Sequence, residues 1–315
     1  MMAARHEIAK QYATWYSELG ASAVLLGGST GRGHADRWSD VELGVFWPAD
    51  PPPARTEVPG HVRDHGREDD AWHDDLRAGS PGPALPQPDH PEPDHRGWGL
   101  PNPGLPSPGL LGCGLPEPGL LGPGLPEPGL LVEVVHLPLS AAHVRLDRLF
   151  SPTPDPDLLT FAAALTQGRL LAGDLSALTT RVATYPDALA AAVVRSLGQI
   201  DHFWRWRMYL ERDDPHGLRA HFASVARAVI HMLCGLNRRY WPGPKWPNRT
   251  LAGLTITPHR AADRLNRAAT ARPAEAAALL SELVTETHGL IAVHLPAADP
   301  ARLHEIFTFT REPWP

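Results

Sequence analysis

The stretch Ala23-Val-Leu-Leu-Gly-Gly-Ser-Thr-Gly-Arg-Gly33, together with Ser39-Asp-Val-Glu-Leu-Gly-Val-Phe46, decides the fold. The first run begins apolar and stops at two glycines. The second is apolar apart from its acids, Asp40 and Glu42. Residues two positions apart on a β-strand share one face. Both carboxylates are therefore predicted to lie on the same side of a small sheet, next to the glycine turn.

The acid pair and the glycine turn together predict a site for a metal-bound nucleoside triphosphate. Neighbouring carboxylates repel each other unless a cation lies between them, so Asp40 and Glu42 are candidate oxygen ligands for Mg²⁺. The glycine turn allows backbone N–H groups to approach a phosphate, and a helix that starts there adds further donors. The alternative is a glycine turn between two strands with an Asp and a Glu on the surface.

The spacing of these residues resembles a known family. Gly28-Ser29, ten intervening residues and Asp40-Val-Glu-Leu43 resemble the nucleotidyltransferase pattern of the DNA polymerase β superfamily. The form Ser39-Asp-Val-Glu42 is similar to kanamycin-type aminoglycoside nucleotidyltransferases. The resemblance implies Mg²⁺ as cofactor, ATP or another NTP as co-substrate, and a small hydroxyl compound as acceptor. Two other glycine-loop motifs do not match, because no Lys-Ser/Thr follows at Walker A spacing and Asp36 stands where a dinucleotide motif requires glycine.

A third acid is expected on a strand farther along the chain. Leu131 to Leu137 is rich in branched residues, which predicts a strand. The resemblance places the third carboxylate at Glu133, where it would act as general base for the attacking hydroxyl or complete the metal shell. The alternative is an exposed polar residue on an edge strand. His136, three positions on, is predicted to point to the opposite face and to be structural.

Composition narrows the class of partner. The chain has 315 residues, of which 43% are hydrophobic, and a net charge of −6 from 29 basic and 35 acidic residues. No basic surface dominates, which argues against a nucleic-acid polymer as the obligate substrate. The two cysteines, Cys113 and Cys234, suggest neither a disulfide framework nor a zinc site and fit a cytoplasmic location. No apolar run reaches the roughly 18 residues of a membrane span, so no membrane partner is expected.

Two segments between the predicted strands have unusual sequences. Residues 61–77 are dense in charge and are interpreted as a solvated helix or loop. The alternatives are a His and Asp metal cluster and a short element at residues 72–75 that borders the acceptor pocket. Fifteen of the 35 prolines lie between Pro81 and Pro128, and a Pro-x-Pro-Gly-Leu-Leu unit recurs every ten residues. Proline at this density predicts an irregular, Pro/Gly-rich insertion at about residues 79–130.

The predicted fold class is α+β, with two domains. A nucleotidyltransferase domain over residues 1–150 contains a small mixed sheet and the insertion, and residues 151–315 form a C-terminal helical bundle. Apolar positions that repeat every three or four residues predict the helices. These helices are expected at residues 3–19, 140–150, 157–166, 187–211, 221–240, 262–271 and 274–293.

Further ligand contacts are expected from backbone and basic groups. We expect Gly28, Ser29, Arg32 and Lys245 to bind the triphosphate, with Lys245 held by a proline-fixed loop. The sequences of residues 201–207 and 237–246 are similar to the helical C-terminal domain of small-molecule nucleotidyltransferases, in which such elements line the cleft opposite the acids. The alternative is that their Arg and Trp residues form surface pairs and core.

The predicted function is metal-dependent transfer of a nucleoside monophosphate from an NTP to a hydroxyl of a small acceptor, aminoglycoside-like or of another kind. One rival is a toxin-like or RNA-directed nucleotidyltransferase, for which Arg205, Arg207, Arg238 and Arg239 would supply a basic face. A second rival is a catalytically inactive nucleotide-binding or interaction protein, disabled by the insertion before Glu133. The identity of the acceptor, the NTP and the oligomeric state stay open at this level.

Overall fold

A computed structural model of the chain describes residues 2–48, 61–68, 71–78 and 130–311. The strands are β1 (Ala23–Leu26), β2 (Val41–Trp47), β3 (His61–Glu68), β4 (Ala71–Ala78), β5 (Leu130–Pro138) and β6 (Arg169–Gly173). The first six helices are α1 (Met2–Glu18), α2 (Gly28–Gly31), α3 (Leu139–Leu149), α4 (Pro156–Gln167), α5 (Ser176–Val182) and α6 (Asp187–Leu197). The next six are α7 (Arg205–Glu211), α8 (Pro215–Leu236), α9 (Pro247–Ala252), α10 (Ala261–Thr270), α11 (Pro273–His294) and α12 (Pro300–Thr308).

Within these residues the strands form one mixed sheet in the order β3-β4-β5-β2-β1-β6. β2 and β5 pair in parallel, and the other neighbours pair antiparallel. The parallel pairing places Glu42 directly opposite Glu133. A shift of one residue would turn the buried side chains of both strands out of the core, so the hydrophobic pattern fixes this register.

Different helices cover the two faces of the sheet. On one face, α1 packs Ala9, Ala13 and Tyr16 against apolar residues of β1, β2 and β5. On the other face, α3, α4 and α5 pack against a second set that includes Leu25, Phe46 and Leu137. Because side chains alternate along a strand, Glu42 and Glu133 share this second face. The acids therefore lie on the side of the sheet that α3 and α4 partly cover.

The helices that follow form their own apolar core. Buried residues of α6, α8, α10, α11 and α12 make one cluster. Three of the helices begin with an Asp-Pro pair, in which the Asp side chain accepts a backbone N–H and the proline occupies the first helical position. These pairs are Asp155-Pro156, Asp214-Pro215 and Asp299-Pro300. Such capping satisfies orphan donors and fixes where each helix starts.

One helix of this core, α11, is both long and strongly apolar. By length and composition alone, α11 is the one helix of the described residues that could cross a membrane, and 44% of its most apolar window is buried inside the protein. Leu280, Leu283, Val284 and Ile291 of this helix lie in the shared core. A central helix of a bundle has the same properties, and the packing of α11 fits that description.

The predicted α+β class is confirmed, and two local predictions need correction. Residues 61–77 were predicted to be a solvated helix or loop, but the backbone forms the hairpin β3–β4 at the edge of the sheet. The long helix predicted at residues 187–211 is two helices, α6 and α7, because the chain turns at Gly198 to Trp204. Strand β6 was not predicted at all.

The predicted domain division stays a prediction. The Pro/Gly-rich insertion at residues 79–130 falls outside the described residues except for Leu130, the first residue of β5. Strand β6 lies on the C-terminal side of the predicted boundary at residue 150, yet it pairs with β1. The sheet therefore takes one strand from the segment that was predicted to be mostly helical.

Candidate functional site

Three carboxylates converge where β2 and β5 lie side by side. Asp40 immediately precedes β2, Glu42 is the second residue of β2, and Glu133 is its register partner on β5. One carboxylate oxygen from each of these residues lies within 4.8 Å of the other two, and all three residues are partly buried. Three oxygen donors at this separation form a set that suits a hard divalent cation such as Mg²⁺. The sequence therefore identified all three members of the acid cluster.

The glycine turn lies directly against one of these acids. Gly27 donates its N–H to the Glu42 carbonyl oxygen at 2.8 Å, which brings the end of β1 to the acid strand. Gly28 has a positive φ of 57°, and a Cβ placed there would lie 2.6 Å from Glu42 Oε2. A side chain at position 28 would therefore displace the Glu42 carboxylate, which is the flexible end of that side chain. Glycine suits the positive φ and leaves the carboxylate in place.

The chain between the turn and the acids is anchored at both ends. Thr30, buried in α2, donates its hydroxyl to the Asp40 carbonyl oxygen at 2.8 Å. Arg5 of α1, which is 6% exposed, donates its Nε–H to the Ser39 carbonyl oxygen at 3.0 Å. Ser29 is buried next to Thr30. These contacts fix the backbone that presents Asp40 and so limit its freedom to move away from Glu42.

Lys245 reaches the acid cluster from the opposite side of the cleft. Its ammonium lies 3.1 Å from Glu42 Oε1 and 3.4 Å from Asp40 Oδ2. Partial burial by itself would lower the lysine pKa, but the charges of Glu42, Asp40 and Glu133 outweigh it and hold that pKa above its ordinary value. Lys245 was predicted to contact triphosphate oxygens, whereas here its partners are the carboxylates. The ammonium supplies the positive charge that adjacent carboxylates need.

A small basic cavity adjoins Lys245. Its volume is about 190 Å³, and Arg32, Arg239, Lys245 and Arg249 supply its basic side chains. Among the described residues that line it, none carries a carboxylate. Trp246 and His34 meet edge to face in the same cavity, with ring centroids 5.7 Å apart. This basic cavity suits a polyanion that also carries a flat ring.

The charges of the basic cavity affect its histidine. Burial lowers the pKa of His34, a hydrogen bond to the Arg32 carbonyl oxygen partly opposes this, and the nearby charges of Arg32 and Arg249 lower it further. Burial also lowers the pKa of the Arg32 guanidinium, against the opposing charge of Glu42. Burial is thus the main cause of both shifts, and the charges of Arg32 and Arg249 add to it at His34.

A larger, mainly apolar cavity lies on the other side of the acids. It has a volume of about 440 Å³ and runs between the sheet and the helices α3 and α4. Glu42 and Glu133 line it, and beyond them the sheet contributes apolar side chains and one glycine. The lining residues of this apolar cavity include Leu25, Gly44, Phe46, Val135, Leu137, Leu158 and Phe161, with Arg145, Arg148, Asp155 and Asp157 on the helices.

The remaining predicted residues have varied positions. His136 is buried and accepts a hydrogen bond from Trp47 Nε1 at 3.1 Å, on the face away from the acids, as a structural role requires. Of the arginines proposed for a basic face, Arg207 and Arg239 line different cavities, and Arg238 pairs with Asp187. The four arginines thus do not line one common cavity.

Sequence reasoning missed two features of the site. Arg249 was not singled out, although it follows Lys245 closely in a Pro- and Trp-rich segment, and that local density of cations was the available signal. The register of β4 against β5 places Asp75 opposite Glu133. No sequence pattern revealed this pairing, because residues 61–77 were interpreted as a solvated helix or loop.

Comparisons with known proteins add limited information. Residues 160–247 match a family model described as a domain of unknown function, DUF4037. No curated protein matches the chain. Among solved structures, the chain is similar to a nucleotidyltransferase-like protein from Exiguobacterium sibiricum, with a TM-score of 0.37 and 10% identity over 98% of this chain and 82% of that chain. A likeness of this size assigns neither activity nor substrate, so the geometry of the site has to support any function.

Proposed function

We propose that this protein is a nucleotidyltransferase that moves a nucleoside monophosphate from an NTP, such as ATP, to a hydroxyl of a small acceptor. The observation that carries the proposal is the convergence of Asp40, Glu42 and Glu133 beside the Gly28-Ser29 turn. A basic cavity and an apolar cavity flank this cluster on its two sides. The arrangement offers separate places for a polyanionic donor and an uncharged acceptor, with the reacting groups between them.

The residues take complementary roles in this proposal. Asp40 and Glu42 would hold one or two Mg²⁺ ions, which offset charge on the transferring phosphoryl group. Backbone N–H groups at Gly28 and Ser29 would bind phosphate oxygens, since no side chain at position 28 stands in the way. Arg32 and Lys245 would bind the outer phosphates, which requires Lys245 to exchange its carboxylate partners for phosphate oxygens.

The chemical step is a displacement at the α-phosphorus of the NTP. The acceptor oxygen attacks the α-phosphorus, the bond from that phosphorus to the bridging oxygen breaks, and pyrophosphate leaves. Glu133 takes the proton of the attacking hydroxyl as general base. Catalysis by the remaining residues is positioning and charge neutralisation, which supply most of the rate enhancement in reactions of this type.

The proposal is tested with ATP labelled at the α-phosphate, Mg²⁺ and a panel of aminoglycosides and other hydroxyl compounds. We expect label to appear in an acceptor and pyrophosphate to be released. Asp40→Asn and Glu42→Gln should each reduce transfer by roughly 1,000-fold, because each removes a metal ligand. Glu18→Gln, an exposed acid at the end of α1, is the matched control and should retain full activity. Transfer that persists at full rate in both site variants would overturn the assignment.

A further inference from the structure

The side chains that follow the acids along the sheet define the surface on which an acceptor would lie. Along β2 the same face presents Glu42, Gly44 and then Phe46, while β5 presents their register partners in parallel. These partners are Glu133, Val135 and Leu137. A strand rises about 3.3 Å per residue, so this surface extends about 13 Å from Glu42 to Phe46. It is acidic at one end and apolar over the rest of its length.

Gly44 provides the space for a ligand on this surface. The other residues of this row carry side chains that cover the cavity floor. Gly44 has no side chain and so leaves more room beside its register partner Val135. Gly44 does not have a positive φ. A Cβ at this position would lie 3.4 Å from Phe46 Cε2 and 3.9 Å from Leu25 Cβ, so any longer side chain would have to project into the cavity or displace the Phe46 ring. Backbone conformation does not require glycine at this position; its small size leaves room for the Phe46 ring and for the cavity beside it.

The helical wall opposite the sheet is also largely apolar near the floor. Leu158 and Phe161 of α4 line the cavity, and the guanidinium of Arg145 lies 5.8 Å from the centroid of the Phe161 ring. The exposed charges on the helical side are of both signs, with Arg148 from α3 balanced by Asp155 and Asp157 at the start of α4. An ammonium group is costly to bury unless it is paired, and the sheet residues of the floor beyond Glu42 and Glu133 offer it no carboxylate.

We propose that the acceptor is an amphipathic hydroxyl compound, with its reactive hydroxyl at Glu133 and an apolar ring or chain over Gly44, Val135 and Phe46. This inference rests on the proposed function and specifies its acceptor. It excludes a polycationic aminocyclitol as the preferred ligand, because such a molecule carries amines along its whole length. A cavity of about 440 Å³ has the size of ordinary small-molecule sites.

The test measures ligand binding to the full chain without requiring turnover. Saturation-transfer NMR and calorimetry with 4-phenyl-1-butanol and with kanamycin compare an amphipathic alcohol with a polycation. We expect 4-phenyl-1-butanol to bind at least tenfold more tightly than kanamycin. Gly44→Leu should weaken binding of the alcohol by tenfold or more while ATP binding with Mg²⁺ stays within twofold of the wild type. Tighter binding of kanamycin, or alcohol binding that Gly44→Leu leaves unchanged, would overturn the proposal.

Two further variants distinguish the effect of filling the cavity from the effect of misfolding. Thr160→Trp fills the same cavity from α4, where Thr160 is only partly buried, and should reproduce the effect of Gly44→Leu. Val144→Trp adds the same bulk on α3 at a side chain that is 52% exposed and does not line the cavity, so its alcohol binding should match the wild type. If the alcohol binds as expected but ATP with Mg²⁺ binds neither to the wild type nor to the variants, the proposed function is wrong. The apolar character of the cavity is then confirmed on its own. If ATP binds and only the alcohol preference fails, the acceptor class alone is wrong.

Discussion

The two cavities beside the acid cluster differ in both charge and origin. The basic cavity takes Arg239, Lys245 and Arg249 from the helical part of the chain, in and around one loop. The apolar cavity takes its floor from residues of the sheet strands β1, β2 and β5. A loop presents long, charged side chains with room to rearrange, whereas paired strands present a fixed row. The comparison suggests that the donor side of the site is adjustable and that the acceptor side is rigid.

The largest effect is expected at the glycine turn, which lies against Glu42 and lines the apolar cavity. Gly28→Ala places a Cβ against the Glu42 carboxylate, so we expect nucleotide transfer to fall at least 100-fold through displacement of a metal ligand. Gly33→Ala is the matched control, because Gly33 also has a positive φ but a Cβ there meets no atom within 4 Å. Both variants pay a similar backbone cost of about 1 kcal/mol, measured by chemical unfolding. Equal activity in the two variants would show that the close approach at Gly28 has no role.

Lys245→Ala is expected to change the affinities for Mg²⁺ and for ATP in opposite directions. Without the ammonium, Asp40 and Glu42 keep their mutual repulsion, so Mg²⁺ alone should bind more tightly, by about fivefold to tenfold. ATP should bind more weakly, by about tenfold, because one phosphate partner is lost. Calorimetry with each ligand measures both changes, and Lys10→Ala, an exposed lysine on α1, serves as control. If both affinities move in the same direction, Lys245 does not alternate between carboxylates and phosphates.

Arg249→Gln tests whether the basic cavity is the donor side. The exposed Arg249 lines that cavity, so its loss should weaken ATP binding by roughly fivefold and reduce the salt dependence of binding. Binding of 4-phenyl-1-butanol should not change, since Arg249 does not line the apolar cavity. Arg302→Gln, an exposed arginine on α12, should leave both affinities unchanged. A loss of alcohol binding in Arg249→Gln would remove the distinction between the cavities.

The smallest effect concerns pH. His34 has a pKa below its ordinary value, so it is neutral at pH 7 in the free protein. A bound triphosphate favours its charged form, so ATP affinity should rise by a few-fold as the pH falls below about 6.5, until His34 is charged without ligand as well. Titrations of wild type and His34→Gln at pH 7.5 and 5.5 measure this, and the variant should lack the rise. Alcohol binding should show no such dependence on His34.

The sequence predicted the acid side of this site because its signals are local. Each signal lies within a few consecutive residues. These signals are the apolar runs at β1, β2 and β5, the glycine turn and the spacing of Asp40 and Glu42. Strand β6 was missed because Arg169–Gly173 is an edge strand with mostly exposed or half-buried side chains and no hydrophobic alternation. The hairpin β3–β4 was missed because its charged residues favour solvent in any local interpretation.

Local sequence patterns could not predict where the distant basic residues lie relative to the acids. Lys245 was predicted to contact triphosphate oxygens, and this stays a prediction. Its ion pairs with the acids depend on how the helical core presents the loop before α9. Arg249 joins the same cavity only through that packing. Gly44 was passed over because a glycine in a strand has a clear meaning only when the neighbouring strand and the opposing helix are known.

Strand β6 has a consequence for how the chain acquires its structure during synthesis. Ala23 pairs with Gly173, so one edge of β1 stays open until the ribosome has released that later segment. An open strand edge invites pairing with other chains. A protein cut at residue 150 would keep all three acids and still expose this edge, so we expect it to aggregate. The nascent chain therefore carries its reactive residues early but needs a much later strand to shield them from neighbouring chains.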